Sequence, residues 1–495
     1  MSGATIAVDA GTSVVKAVRF DEDGRETAVA RRPAVVERPG GARSEQDMTA
    51  VLRAVLDCVA EVASADGSPV ARIALTAQGD GAWPVDVDGA PAGPAVLWND
   101  GRATEVLQRW DDEGVLAAAF RTNGSLGNLG LPHTLMRWSL EHDAERLRRT
   151  STVLTCGGWL HLALTGVRGL HVSEASAPWL DVHERRVSDE LIDLYGLASV
   201  RALVPELLAD DALTAPLLPG PATATGLPAG VPVTLAPYDV VATAHGSGAI
   251  APGSAFCILG TTLCTGAVLP AAATEGAPSG LTLLDERDGA VVRAFPTLAG
   301  TGVVEWAVRL LGLASPAALT ELASESVPGA RGVRVWPYLS PAGERAPFLD
   351  PAARGAIGGL DLDTGPADVA RAVLEGLAHV IRSCLEATGA APEVLALAGG
   401  GAASELWCRT IADVTGVPVS AVPDAQVGAR GALLSALVAA GEADDLRSAD
   451  SALPRTTTVV EPEAGTAALF VDRHEDFLAT REVLAGRWSS WATAS

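Results

Sequence analysis

Twice in its length the chain sets one short apolar strand against another across a glycine–threonine turn. Thr5 to Val8 reads as a β-branched strand, Asp9-Ala10-Gly11-Thr12-Ser13 as a tight turn, and Val14 to Phe20 as a second strand. Ala255 to Leu259, Gly260-Thr261-Thr262 and Leu263 to Leu269 repeat that plan in the second half. Glycine lets a backbone approach a ligand closely, and amides and hydroxyls in such a turn suit phosphate oxygens. Two halves that each open on a phosphate-sized turn predict a duplicated α/β fold holding one ligand. The boundary is expected near residue 245, giving domains 1–245 and 246–495.

Length supports two domains, because 495 residues exceed what one core usually serves. Apolar residues make up 48% and charged residues 19%, which excludes a disordered chain. The formal charge of −24 opposes nucleic acid and anionic membrane, so neither is expected as a partner. It leaves room for a nucleotide held locally by backbone amides, hydroxyls and Mg2+. The six cysteines form no CxxC pair, which argues against a zinc site or disulfide framework and fits a reducing cytoplasm. The N-terminus lacks the charge-then-apolar order of a signal peptide, and no window reads as a membrane span. A cytoplasmic location is expected, and the chain leaves a homodimer open.

Between the two turns, apolar positions predict a helix over Asp47 to Ala63, a strand at Ile73 to Thr76, another at Ala95 to Trp98 and one at Val231 to Leu235. Leu217 to Gly230 reads as a surface connection. Later helices are expected at Pro366 to Cys384 and Glu405 to Asp413, and a last one at about Gly428 to Ala440.

Four places carry residues suited to chemistry. Asp9 ends a strand where a carboxylate can hold water-bound magnesium; a plain hairpin with an aspartate in its turn would look the same. Lys16 is the only lysine, the other 35 of the 36 Lys and Arg residues being arginines. A compact ammonium beside phosphate differs from a guanidinium, though a single surviving lysine on a solvated strand explains it equally well. Asp239 follows a strand in Pro237-Tyr238-Asp239, where it can take the proton of an attacking hydroxyl or simply start a helix. Gly399-Gly400-Gly401 with Ser404 can give an adenine ring a flat backbone, or can be a strand-to-helix connection with Ser404 as its cap.

These residues meet a known pattern. Ala7-Val8-Asp9-Ala10-Gly11-Thr12-Ser13-Val14-Val15-Lys16 resembles the opening of the FGGY carbohydrate kinases, which include glycerol, xylulose, ribulose and erythritol kinases. The resemblance runs through Ala77-Gln78-Gly79-Asp80-Gly81, Leu97-Trp98-Asn99-Asp100-Gly101-Arg102-Ala103, Tyr238-Asp239 and Leu259-Gly260-Thr261-Thr262. It is most specific over Glu344-Arg345-Ala346-Pro347-Phe348 and ends on Gly399-Gly400-Gly401 and Gly428-Ala429-Arg430-Gly431-Ala432. It implies two ribonuclease-H-like, actin-type domains with an interdomain cleft, the first holding a sugar and the second ATP. It implies Asp239 as general base and Asp9 beside Mg2+. It places Thr12, Ser13, Lys16, Gly260 and Thr261 at the phosphates, and Gly400, Gly401 and Ser404 at the nucleotide. Gln78, Asp80 and Trp98 would form the sugar site.

Departures bear on substrate. Xylulose kinases carry Met-His after the glutamine and glycerol kinases Arg-Glu, whereas this chain has Gly79-Asp80. Val240 follows the expected base where relatives have an amide, Gly158 stands for the usual aspartate, and Gln426 lies near a common glutamate. These features look most like the L-xylulose and erythritol kinase branch. A pentulose such as xylulose or L-xylulose is the first choice, and erythritol or another polyol the alternative. An actin-fold chaperone would need a peptide-binding domain that the chain has no residues for. A catalytically dead sugar- or nucleotide-binding homologue would be expected to lose Asp9, Thr12, Asp239 or Gly260-Thr261, and all are present. The small residues Ala244-His245-Gly246-Ser247-Gly248 are the expected hinge.

Overall fold

The computed structural model describes residues 3–65, 67–285, 289–422 and 426–492. They form two compact units, each interrupted in sequence. The first comprises 1–250, 270–292 and 426–455, the second 251–269, 293–425 and 456–495. The chain leaves the first unit close to the expected boundary, but two later segments return to it.

In the first unit, β1 (Ala4–Ala10), β2 (Val14–Phe20), β3 (Glu26–Pro33), β4 (Val70–Ala77), β5 (Thr214–Pro216) and β6 (Pro232–Leu235) form one sheet in the order β5-β6-β4-β1-β2-β3. β1 pairs antiparallel with β2 and parallel with β4, and β4 pairs parallel with β6. All but Asp9 of β1 is buried, the apolar run expected of a central strand covered on both faces. Helix Met48–Ala63 covers one face, burying Met48, Val51, Val55, Val59 and Val62, and Asp47 caps its start by accepting from Ala50 N at 3.1 Å.

Helices Asp239–Ser247 and Val427–Ala439 lie against each other in this unit. Ala429, Ala432, Leu433 and Leu437 of the second helix share a core with Ala7, Val18, Phe20 and Ala74. The two helix backbones nearly touch. A Cβ on Gly431 would lie 1.8 Å from Ala242 O, and one on Gly246 would lie 1.9 Å from Val427 O. Gly246 is therefore a packing glycine in a buried helical turn, which corrects its expected role as a hinge.

The second unit repeats the strand plan. β7 (Ala255–Leu259), β8 (Leu263–Leu269), β9 (Leu395–Ala398), β10 (Val419–Ala421) and β11 (Thr458–Val460) run in the order β8-β7-β9-β10-β11. β7 pairs antiparallel with β8 and parallel with β9, and β9 pairs parallel with β10. Its core gathers helix Pro366–Ala387, helix Glu405–Thr415 and helix Ala464–Ala492, the last through Phe470, Phe477 and Trp488. That last helix lies beyond the one expected to be final. Leu217 to Gly230, expected as a plain connection, contains helix Pro219–Thr225. No described helix is long and apolar enough to cross a membrane.

Candidate active site

In each unit the candidate residues sit at the carboxyl ends of neighbouring parallel strands, where open α/β sheets gather ligand groups. Asp9 lies near the end of β1, Gln78 just after β4, and Asp239 a few residues after β6. Register decides the first contact: Asp9 stands opposite Lys16 across the β1–β2 pair, and Lys16 Nζ lies 3.7 Å from the Asp9 carboxylate. Burial raises the Asp9 pKa and Lys16 opposes the rise. The expected phosphate lysine is thus the cross-strand partner of the expected metal aspartate. Ser13 is exposed in the turn, and its carbonyl accepts from Ala34 N at 2.9 Å.

Thr12 is the centre of a hydrogen-bonded ring. Trp98 Nε1 donates to Thr12 Oγ1 at 2.9 Å, and Thr12 Oγ1 donates to Gln78 Oε1 at 2.9 Å. Gln78 Nε2 donates to Gln46 Oε1 at 2.9 Å, and Gln46 Nε2 donates to Thr12 O at 2.8 Å. Gln78 is buried, with both ends of its amide engaged by protein groups. Trp98 and Thr12 are half-buried. Asp100 and Arg102 of the Leu97–Ala103 motif form a buried pair at 2.8 Å. Asp100 accepts from Ser44 N at 2.6 Å and Arg102 reaches Glu45 Oε1 at 2.5 Å.

The Gly79-Asp80-Gly81 loop is shaped by two positive φ angles, 56° at Asp80 and 76° at Gly81. Aspartate is one of the few side chains that tolerates this region. Gly79 has a separate reason to be glycine: a Cβ there would lie 2.1 Å from Tyr238 Cδ2. The Tyr238 ring occupies the space that a side chain at position 79 would need.

Asp239 opens helix Asp239–Ser247, one residue after the cap Tyr238. Its approach is pinned on both sides, by Thr76 Oγ1 donating to Pro237 O at 2.7 Å and by Tyr238 N donating to Ser173 Oγ at 3.2 Å. The residue as a whole is half-buried. Burial pushes its pKa up to about 8, repulsion from Asp9 and Asp80 adds to the rise, and the backbone N–H groups of Val240 and Gly79 oppose it. Behind it, Glu174 accepts from Thr155 Oγ1 at 2.5 Å and from His171 N at 3.2 Å, and burial pushes that carboxyl to about 7. Sequence reading missed Ser173 and Glu174. Their signal was the His171-to-Glu174 capping box that starts helix Val172–Trp179.

In the second unit, Gly260-Thr261-Thr262 follows β7 and Gly399 follows the adjacent parallel strand β9. The turn is braced by backbone. Thr301 N donates to Gly260 O at 2.9 Å and Gly302 N to Thr261 O at 3.2 Å, while a Cβ on Gly300 would lie 2.5 Å from Thr261 O. The loop before Gly300 hangs on Glu344, whose carboxylate accepts from Leu298 N at 2.6 Å, Ala299 N at 3.2 Å and Arg345 N at 2.9 Å. Arg345 Nε adds a bond to Pro296 O at 2.8 Å. This gives the Glu344–Phe348 motif its physical role. Gly401 is tied to packing, since a Cβ would meet the Trp407 ring at 2.4 Å, whereas Gly400 is exposed and faces open space. Ser404 Oγ accepts from Trp407 N at 3.2 Å and caps helix Glu405–Thr415. Gln426 is buried at the cap of helix Val427–Ala439, in the first unit.

Residues 4–246 match the N-terminal domain of the FGGY family of carbohydrate kinases, and residues 255–440 match its C-terminal domain. The chain belongs to this family. Among relatives of this FGGY kinase, an erythritol kinase from Brucella abortus (strain 2308) is 32% identical, over 99% of the chain and 98% of the relative. A xylulose kinase from Escherichia coli (strain K12) is 31% identical, over 95% and 97%. A ligand-bound xylulose kinase structure from Lactobacillus acidophilus superposes with a TM-score of 0.92, covering 99% of each chain at 20% identity, a likeness of fold. The FGGY kinase therefore has the two-domain, actin-like ATPase fold, and its reaction is the phosphorylation of a small carbohydrate with ATP as co-substrate.

Proposed function

We propose that this kinase transfers the γ-phosphoryl group of ATP to a hydroxyl of a small pentulose or polyol, with Asp239 as general base. The observation that carries the reading is the meeting of Asp239, Asp80 and the Thr12–Trp98 pair at the carboxyl edge of one sheet. Phosphoryl transfer needs little covalent help; it needs an acceptor hydroxyl held in line and a site for its proton. A carboxyl raised to about 8 by burial and by two neighbouring aspartates is, once ionised, a stronger base than an ordinary carboxylate. Trp98 serves as an apolar floor for the carbon skeleton and Asp80 as a hydroxyl partner. Gln78 acts on the sugar through Thr12, because its amide is engaged by Thr12 and Gln46.

The first unit takes the acceptor and the second the nucleotide, with Gly260, Thr261 and the exposed Gly400 as backbone partners and Gly401 and Ser404 shaping that loop. At the first turn the Ser13 hydroxyl offers a hydrogen bond to phosphate, and Lys16 on β2 offers positive charge. The residues fit a magnesium ion: Asp9 offers one carboxylate within electrostatic reach of Asp239, and no described cluster of three or more such side chains forms an all-protein cage. Mg2+ keeps most of its waters and needs only one or two carboxylates plus phosphate oxygens. When bound it neutralises phosphate charge, and Asp9 would hold it through water.

A pentulose is the first choice of acceptor. A tetritol is the second, favoured by the relative from Brucella abortus matching over 99% of the chain. Coupled assays of ATP consumption with pentuloses, tetritols, pentitols and glycerol test the class. Asp239→Asn should lower kcat by about 100- to 10,000-fold, the range for a general base, with ATP binding retained. Wild-type turnover in that variant would remove Asp239 from the mechanism.

A further inference from the structure

The ring of hydrogen bonds around Thr12 has a direction, and the direction can be derived. An indole N–H only donates, so Thr12 Oγ1 must accept from Trp98. The hydroxyl then has one proton left, which goes to Gln78 Oε1. That fixes the Gln78 amide with its NH2 toward Gln46, and it fixes the Gln46 amide with its NH2 toward the Thr12 carbonyl. Each polar atom has one role that keeps the ring closed. Thr12 is held at both ends, its hydroxyl through Trp98 and Gln78 and its carbonyl through Gln46.

Gln46 is fully buried. It lies on the two-residue strand Glu45–Gln46, paired in register with Ala95–Val96 just before Trp98. Its neighbour Glu45 is held by Arg102, which also holds Asp100, two residues after Trp98. The same short strand therefore steadies the Trp98 loop through main chain and the Thr12 turn through a side chain.

We infer that Gln46 is a positioning residue that couples the Trp98 floor of the acceptor site to the Thr12 turn beside Asp9. This rests on the proposed acceptor site. Gln46 touches no substrate; it acts by fixing where the indole and the turn stand. Misplacing reacting groups by about 1 Å can cost about 100-fold in rate, so a lost positioning bond should be read in kcat.

The test uses Gln46→Met, which keeps length and removes both polar ends, and Gln46→Glu. In the full-length protein, Gln46→Met should lower kcat with the best acceptor by about 10- to 100-fold while the ATP KM stays within about twofold. Gln46→Glu should lose as much at pH 8, where an ionised carboxylate cannot donate to Thr12 O. Its activity relative to wild type should recover on acidification, because a neutral carboxyl offers one O–H and one acceptor oxygen. Protein labelled with 15N at tryptophan supplies a readout that needs no turnover. The Trp98 indole signal, assigned by its loss in Trp98→Phe, should move in Gln46→Met, and in Gln46→Glu it should move at pH 8 and return at lower pH. Wild-type kcat and KM in both variants, or an unmoved indole signal, would overturn the inference, as would equal loss in both at every pH. If the wild type phosphorylates nothing in the acceptor panel, the functional reading fails separately. The Gln46 claim is then decided by the indole signal, a pH-reversible shift upholding the ring and its absence refuting it.

Discussion

The two glycine–threonine turns start from the same strand plan and differ in what is added to their backbone bonds. The first, Gly11-Thr12-Ser13, is wired by side chains: Trp98, Gln78 and Gln46 all converge on Thr12. The second, Gly260-Thr261-Thr262, is braced by main chain: two N–H groups from 301 and 302, the bare Gly300, and a loop suspended from Glu344. A backbone cradle suits a ligand part that never changes, such as a triphosphate. A side-chain network can be retuned residue by residue, which suits a site that must choose among acceptors differing by one carbon or one hydroxyl.

If that contrast holds, the largest effect comes from the backbone side. Glu344→Leu leaves three N–H groups, one buried and two partly buried, without their acceptor, at up to roughly 1–3 kcal/mol each. Thermal melting should show a loss of several kcal/mol, and ATP binding by calorimetry should be lost or much weakened. Glu344→Gln keeps one acceptor oxygen and should lose less. A Glu344→Leu protein that melts and binds ATP like wild type would show that the second turn stands without its brace.

Next in size is Gly79→Ala. Its Cβ would meet the Tyr238 ring, and overpacking of that kind costs about 1–3 kcal/mol. The acceptor KM should rise while the ATP KM stays put. Adding Tyr238→Ala should recover much of the loss and change the order of preferred acceptors. If the double variant is merely the sum of two losses, Tyr238 and position 79 do not share one space.

Asp80→Asn sharpens the electrostatic half of the comparison. Asp239 is raised by burial and by its like-charged neighbours, to about 8; if it is the base proposed above, activity should rise as pH rises through that range. Removing the Asp80 charge lowers that pKa. The acidic limb of kcat/KM against pH should therefore move to lower pH, alongside a raised acceptor KM. A limb that stays fixed would mean that Asp80 does not act on Asp239 through charge.

The smallest change is expected from Ser173→Ala. It removes one neutral acceptor from Tyr238 N, a bond worth about 1 kcal/mol, and should lower kcat by less than tenfold. A larger drop would mark the Ser173 contact as a second positioning device for Asp239.

Much of this was legible from local pattern. The opening strands, the Asp47-capped helix, the strand into Pro237-Tyr238-Asp239 and the glycines at 11, 260 and 399–401 announce themselves, because a strand period, a cap or a close backbone approach is set by a few neighbouring residues. The resemblance then placed Asp9, Asp239 and Asp80 on one reaction. Other features needed the fold. Gly246 has the composition of a hinge, yet Val427 O stands against it. Gln78 has the chemistry of a sugar ligand, yet its amide is used by residues 66 and 32 positions away. Gln46 carried no signal at all, since a lone glutamine before a helix is ordinary until Thr12, 34 positions earlier, is brought against it. Sequence by itself determined the elements, the duplication and the kind of chemistry, because those depend on backbone conformation and residue type. Only tertiary structure decided which polar atoms remain for a ligand and which are spent on one another, because a donor's partner is fixed by where distant strands end, not by its neighbours in the chain.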